Sequence, residues 1–492
     1  MTTRKISPTA PGHHDHLVLS AMVRTLGAFP SGWRYPGAHN DPAKDAEALK
    51  RVARAAEKAG FDFLFLGDWL STDTDLEFSD PHLLSRADSL STASYLAAAT
   101  KRIGIVGTVN VSHSEPYATA RAAASIDQLS HGRFGLNLTV GTDARGAANF
   151  GKAGNSPEFD RFEVAEEYVQ VLHGLWDGWD DDAFVRDTGS GALIDRSLVS
   201  TLDHVGRSYA VAGPLNVQRP VQGHVPLMHA GTSRRAREFS AESADIYLVA
   251  PATVAEAVTL YSETKRQVAA FGRPADSLSI VAPILPIVGE TRADAHEVYD
   301  TLVELFQVDD GSAEAAKLGL PANRSARSLR QLVGLPLAER GIDDVVTAGT
   351  AARFNDTGRR LLDVVFERSG RTVNGARPVS YRHLLVAHLV RSPIVVGSAA
   401  DIADHMERWF RAGAVDGFSV LSAFLHEQFE TFTRLVVPEL VGRGLLRDGY
   451  EASTLRGHLN SAIPGRWAVP DRGAVANDNA VPGHSAVAGR SR

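Results

Sequence analysis

Apolar positions along this chain gather into short continuous runs, and between the runs lie longer stretches in which apolar residues recur every three or four positions. Residues 226–250, PLMHAGTSRRAREFSAESADIYLVA, show the unit in its most compact form. Residues 226–230 read as a buried strand, Gly231, Thr232 and Ser233 as a turn, the following stretch as an amphipathic helix with Phe239 inward, and residues 245–250 as a second buried strand. The unit is β-α-β.

The same alternation extends over most of the chain. Strand runs are expected at 17–23, 61–67, 103–108, 133–140, 226–230, 245–250, 278–287 and 415–422. FDFLFLG, residues 61–67, is almost uninterrupted in its apolarity, which fits a parallel strand covered on both faces. Asp41 caps a helix with Pro42 at its first position and Gly60 as its end. Further helices are expected at 90–100, 116–129, 161–175, 254–271 and 429–440. Eight strands with helices between them predict an α/β fold, a (β/α)8 TIM barrel, whose chemistry belongs to the loops after the strands.

Three segments depart from this rhythm. Residues 176–225 form a long polar excursion. Residues 292–397 exceed a barrel connection, carry helical patterns at 293–306, 328–333 and 359–367, and are expected to cover the active face. Residues 1–15 read as a loose arm and those from 460 as a disordered tail, leaving 16–459 as the barrel with its insertion.

Composition narrows the function. A formal charge of −7 with mixed signs argues against nucleic acid or an anionic membrane as partner. With no cysteine, disulfides, thiolate metal sites and a cysteine nucleophile are excluded. No apolar run approaches the ~18 residues of a membrane span and the N-terminus lacks a signal-like apolar stretch, so a cytoplasmic protein is expected. GxSxG, the P-loop and a strand-borne GxGxxG are all missing.

Candidate chemistry then falls at strand ends. Gly231 lets the backbone approach a ligand, Thr232 or Ser233 can cap the helix, and Arg234 and Arg235 add charge near its free N–H groups, an arrangement that holds a phosphate as readily as it makes an ordinary capped helix. Asp68, Thr108 and Asn137 can offer donors and acceptors to a flat heteroaromatic ring across the barrel mouth, or can simply cap loops. His113 and His229, after or at strand ends, are placed for proton transfer or for packing, whereas the GHHDH run at 12–16 reads as incidental. Trp33, Trp69 and Phe150 can line an apolar pocket, or pack in the core.

Several stretches taken together resemble one family, the bacterial-luciferase-like FMN-dependent monooxygenases, in the branch with nitrilotriacetate and dibenzothiophene-sulfone monooxygenases. They are WRYP (33–36), GFDFLFLGD (60–68), RIGIVGTV (102–109), EPYATAR (115–121), SIDQLSHGRFGLN (125–137), NFG (149–151), LWDGWDDDAFVRD (175–187), GPLNVQRPVQG (213–223), HAGTS (229–233), VVGSAADIADHMERWFRAGAVDGF (395–418), VVPEL (436–440) and TLR (454–456). The resemblance implies reduced FMN supplied by a separate flavin reductase, O2 as second substrate, and oxygenation of a small organic molecule through a flavin C4a-peroxide, in a homodimer or homotetramer. It puts Asp68, Thr108 and Asn137 against the isoalloxazine, Ser233 and the Arg234 N–H beside Gly231 on the phosphate, and His113 or His229 near the peroxide.

The sequence also departs from that family's pattern. Relatives usually carry His and Tyr near the cofactor phosphate or ribityl chain where this chain has Glu158 and Phe162. Leu136 replaces a Trp, Val140-Gly141 a Thr-Ser, and His229 a Gln. Two alternatives therefore stand beside the monooxygenase: a deazaflavin-dependent dehydrogenase on the same barrel, disfavoured by residues 175–187 and 213–223, and a non-catalytic flavin-binding homologue.

Overall fold

All eight expected strands form, and they close on themselves. In the computed structural model, which describes residues 14–141, 144–151, 160–335 and 341–466, the strands are β1 (Val18–Met22), β2 (Phe63–Phe65), β3 (Gly104–Asn110), β4 (Phe134–Thr139), a small hairpin β5 (His204–Val205) and β6 (Ala210–Val211), β7 (Leu227–Ala230), β8 (Ile246–Leu248), β9 (Ser279–Val288), β10 (Ile394–Gly397) and β11 (Gly417–Val420). The ring runs β1-β2-β3-β4-β7-β8-β9-β11 and back to β1, every pairing parallel. The fold is the expected (β/α)8 barrel.

Alternation along each strand splits its residues between two cores. Leu19, Leu64, Ile105, Leu136 and Leu138 point outward to the helices. Val18, Phe63, Phe65, Val106, Met228, Ile246 and Val281 fill the barrel axis. Both sets are buried, which is why the strands read as unbroken apolar runs.

The N-terminal end of the barrel is sealed by charge pairs and by a stopper. Asp62, Asp245 and Asp416 stand just before β2, β8 and β11, and each accepts the N–H of an adjacent strand, from Leu19, Leu227 and Ile280, at 2.7–2.8 Å. Their cations are Arg447, Arg456 and Lys265. Leu455 and Leu459, on and after the short helix Leu455–His458, enter the axis from below. A Cβ on Gly104 or Gly135 would lie 2.7 Å from a Leu455 methyl, so the two glycines make room for the stopper. His14, expected in the loose arm, also reaches this floor, 3.1 Å from the Ser279 hydroxyl.

Differences from the sequence reading have local causes. Strand β10 pairs with the outer half of β9, whose ten residues overrun the barrel. The segment 292–397 builds a second core from Tyr299, Phe306, Leu329, Val365 and Leu384, packed on Phe29, Leu421 and Phe424 in the loops after β1 and β11. It therefore covers that side of the active face. The helix expected at 429–440 is divided into Glu427–Thr431, a π-helical turn Phe432–Val436, and Val437–Gly442. Pro438 has no N–H to return to the preceding turn, which widens there. Of the expected tail, only residues up to 466 are described.

Candidate active site

Register carries two of the expected residues together. Thr108 and Asn137 are paired neighbours on β3 and β4 and face the axis near its C-terminal end. The Thr108 hydroxyl donates to the Leu66 carbonyl at 2.8 Å, and Asn137 Nδ2 donates to Thr108 Oγ1 at 3.1 Å. Asn137 Oδ1 is left buried without a hydrogen-bond partner among the described residues. A buried carbonyl acceptor without a donor is costly, and a ligand N–H would relieve it.

Asp68 follows β2 at the same mouth. Its carboxylate accepts from the Trp69 N–H at 2.8 Å, and burial pushes its pKa up against the opposing effects of that N–H and of Arg86. Trp69 is 45% exposed and Phe150 43%, so two large aromatic faces stand open at the rim. His113 ends a short turn capped by Asn110, whose side chain accepts from Ser112 N, and its ring stacks on Phe150 with centroids 4.7 Å apart. Asn149 ties this arm to the loop after β2 by donating to the Leu70 carbonyl.

The turn after β7 has the expected capped geometry, with one addition. Ser233 is the N-cap of the helix Arg234–Ser243, and its Oγ accepts from Ala236 N at 3.1 Å. The hydroxyl proton and the first N–H groups of the helix remain available to an anion. Tyr247, which sequence reasoning missed, donates its OH to the Gly231 carbonyl at 2.8 Å and so occupies an oxygen that would repel a phosphate. Only its place two residues into the next strand hinted at this. A Cβ on Gly231 would lie 2.8 Å from Ala236 Cβ, so the turn is tight as well as open.

The arginine side chains are committed elsewhere. Arg234, 82% exposed, pairs with Glu238, and Arg235 is held by Asp160, Glu166 and Glu238. The turn therefore offers backbone dipoles and the Ser233 hydroxyl, rather than free guanidinium groups, to any anion placed there.

His229 lies away from the position a proton-transfer residue at the mouth needs. Met228 takes the axial side of β7, so His229 points outward and packs edge-on against Phe162 and Phe239, at 6.1 and 5.0 Å. Phe162, 5% exposed, carries Arg161 and Arg235 over its ring at 5.5 and 5.6 Å. Glu158 lies outside the described residues. Two other departures resolve simply: Leu136 is an outward core residue, and a Cβ at Gly141 would fall 2.2 Å from Asn110 Nδ2.

Polar side chains thus gather at the C-terminal mouth of the barrel, a capped turn follows the strand next to Asn137, and a long insertion follows β9. The sequence of the luciferase-like monooxygenase family matches residues 28–416. The chain belongs to that family. It is 32% identical to N-acetyl-S-(2-succino)cysteine monooxygenase of Bacillus subtilis, over 91% of this chain and 97% of the relative. It is also 32% identical to nitrilotriacetate monooxygenase component A of Aminobacter aminovorans, over 92% and 98%. Among solved structures, riboflavin lyase with modified FMN and riboflavin superposes with a TM-score of 0.69 at 25% identity, covering 90% of this chain and 95% of that one. Among the described residues, no helix of this luciferase-like monooxygenase is long and apolar enough to cross a membrane.

Proposed function

We propose that this chain is the oxygenase of a two-component system, taking reduced FMN from a separate flavin reductase and using O2 to oxygenate a small organic substrate. The observation that carries this reading is the unpartnered Asn137 Oδ1 at the barrel mouth, on the strand beside the anion turn. Asn137 is paired with Met228, and Gly231 follows three residues later, about 10 Å along the strand direction. A ring at the first point and a phosphate at the second suit one elongated cofactor. The component name of the nitrilotriacetate relative and the modified FMN in the riboflavin lyase structure support the same assignment.

When bound, reduced FMN supplies the electrons that activate O2. The protein's part is to hold, shield and move a proton. Thr108, locked by Leu66, fixes the Asn137 amide so that its free oxygen meets a ring N–H. Asp68, whose carboxyl burial shifts toward the neutral form, can lend a proton or accept a hydrogen bond at the ring edge. The Ser233 hydroxyl and the N–H of Arg234 take the phosphate beside Gly231. His113, oriented by Phe150, is the histidine we assign to proton transfer at the mouth. Trp69, Phe150 and the insertion exclude water from the ring face.

Titrating the purified protein with FMN and with anaerobically reduced FMN, read by flavin fluorescence and absorbance, tests the assignment. Reduced FMN is expected to bind more tightly than oxidised FMN and, when mixed with O2, to reoxidise on a time course distinct from that of free flavin. Failure of both forms to bind sinks the proposal. Binding with an unaltered reoxidation course points to a non-catalytic flavin protein, and preference for a deazaflavin to a dehydrogenase.

A further inference from the structure

His229 is 3% exposed, and each of its ring nitrogens has a definite situation. Nδ1 lies 2.7 Å from the Leu138 carbonyl of β4. A carbonyl only accepts, so Nδ1 carries the proton and neutral His229 presents a lone pair at Nε2. That nitrogen is buried and has no hydrogen-bond partner among the described residues. It lies beside the turn after β7, where a Cβ built on Gly231 would come within 3.6 Å of it.

The surroundings supply no charge to settle its protonation. Phe162, from the helix Arg161–Trp176, and Phe239, from the helix Arg234–Ser243, face the ring. From β4 the facing group is the Leu138 carbonyl. Arg235 stands over the Phe162 ring, with Asp160, Glu166 and Glu238 paired to it, and Arg161 lies over the same ring. Burial lowers the His229 pKa, opposed by its bond to Leu138, and no ionisable neighbour enters the balance. The free protein therefore holds His229 neutral near pH 7, with a bare lone pair beside the turn that would receive the anion. A lone pair and a phosphate oxygen repel each other. A proton on Nε2 converts the contact into a charge-assisted hydrogen bond.

We propose that His229 is a proton-linked phosphate ligand: it takes one proton from solvent at Nε2 when the phosphate of the cofactor enters the Gly231 to Ser233 turn. The proposal rests on the FMN reading above. Protonation breaks no covalent bond, since imidazole and a solvent proton become imidazolium, which donates at Nδ1 to Leu138 and at Nε2 to the phosphate. Its consequence is that affinity for FMN, but not for riboflavin, falls as pH rises through the pKa of His229 in the complex. A glutamine amide at this position would donate at every pH, so the imidazole is what makes phosphate binding sensitive to pH.

The test is calorimetric titration of the full chain with FMN and with riboflavin, in pairs of buffers of different ionisation enthalpy, between about pH 6 and 8.5, for the wild type and His229→Gln. A phosphate monoester has its second pKa near 6, so binding its dianion can only release protons from the ligand. Net uptake must come from the protein. Expected for the wild type are net proton uptake with FMN approaching one per site, none with riboflavin, and an FMN Kd that rises by up to about tenfold per pH unit more steeply than in the variant. Equal proton counts for wild type and His229→Gln overturn the proposal while leaving the FMN reading intact. Should the variant fail to fold, the wild type alone decides, because uptake no greater with FMN than with riboflavin also overturns it. Failure of the wild type to bind FMN at any pH removes the FMN reading, and this inference with it.

Discussion

Ser233 offers the sharpest test of the anion turn, because its hydroxyl has two separable duties. Its oxygen accepts the Ala236 N–H at 3.1 Å and caps the helix Arg234–Ser243. Its proton is free for a phosphate. Ser233→Ala removes both. Loss of an N-cap costs about 1 kcal/mol of stability, a modest amount for a chain of this size. Loss of a hydrogen bond to a charged group is worth roughly 1.5–3 kcal/mol, which corresponds to a Kd about 10- to 150-fold weaker. Ser233 is itself exposed, so the lower end of that range is expected. The assay is equilibrium titration with FMN and with riboflavin, which shares the ring and ribityl chain but lacks the phosphate. FMN affinity should fall about tenfold and riboflavin affinity should hold. Arg234→Ala, whose guanidinium is turned to Glu238, should cost far less than Ser233→Ala. Equal losses for FMN and riboflavin on Ser233→Ala would refute the reasoning, since they would mean that the turn holds no phosphate.

Other outcomes follow from the same geometry. Phe162→Tyr, restoring the phenol that the family resemblance leads one to expect, should tighten FMN by several-fold through a hydrogen bond worth about 1 kcal/mol; an unchanged Kd would place the ring too far from the phosphate. Asp416→Asn should cost about 3–5 kcal/mol in urea unfolding, because it strands Lys265, 5% exposed, and adding Lys265→Met should restore part of it. Leu455→Ala should cost about 2–5 kcal/mol by leaving a hole in the barrel axis, with the FMN Kd of the folded protein unchanged. Acid stability should depend on Asp300 in the insertion: burial pushes its pKa up, but His383, Arg371 and Arg377 outweigh this and hold it below the ordinary 3.8. The stabilisation it gives is present above that value and is lost as pH falls below it, so Asp300→Asn should lower the urea midpoint at neutral pH and flatten its decline in acid.

The strands were legible because strands buried on both faces announce themselves as apolar runs, as residues 61–67 do. The same property hid their phase. In a run apolar on both sides nothing states which residues face the axis, and a shift of one exchanges the two sets. That is why Thr108 and Asn137 could be placed at the mouth from their strand-end positions, whereas His229, next to axial Met228, turned out to face the helices. Tyr247 and Leu455 were illegible for a different reason. Their partners, Gly231 and the floor glycines Gly104 and Gly135, are supplied by other strands and acquire meaning only on closure. The TLR match at 454–456 gave no hint that Thr454 caps, Leu455 plugs and Arg456 pairs with Asp245.

The stopper bears on how the molecule is made. Leu455, Arg456 and Leu459 are synthesised after the eighth strand, yet they complete the lining of a tube whose first stave begins at Val18. A nascent chain that has already delivered β11 from the ribosome still has an unplugged apolar bore and an Asp245 without its Arg456 partner. Such a species is open to non-native association until the last segment docks. Closure of the ring alone therefore leaves the barrel unfinished, and docking of this late segment completes it.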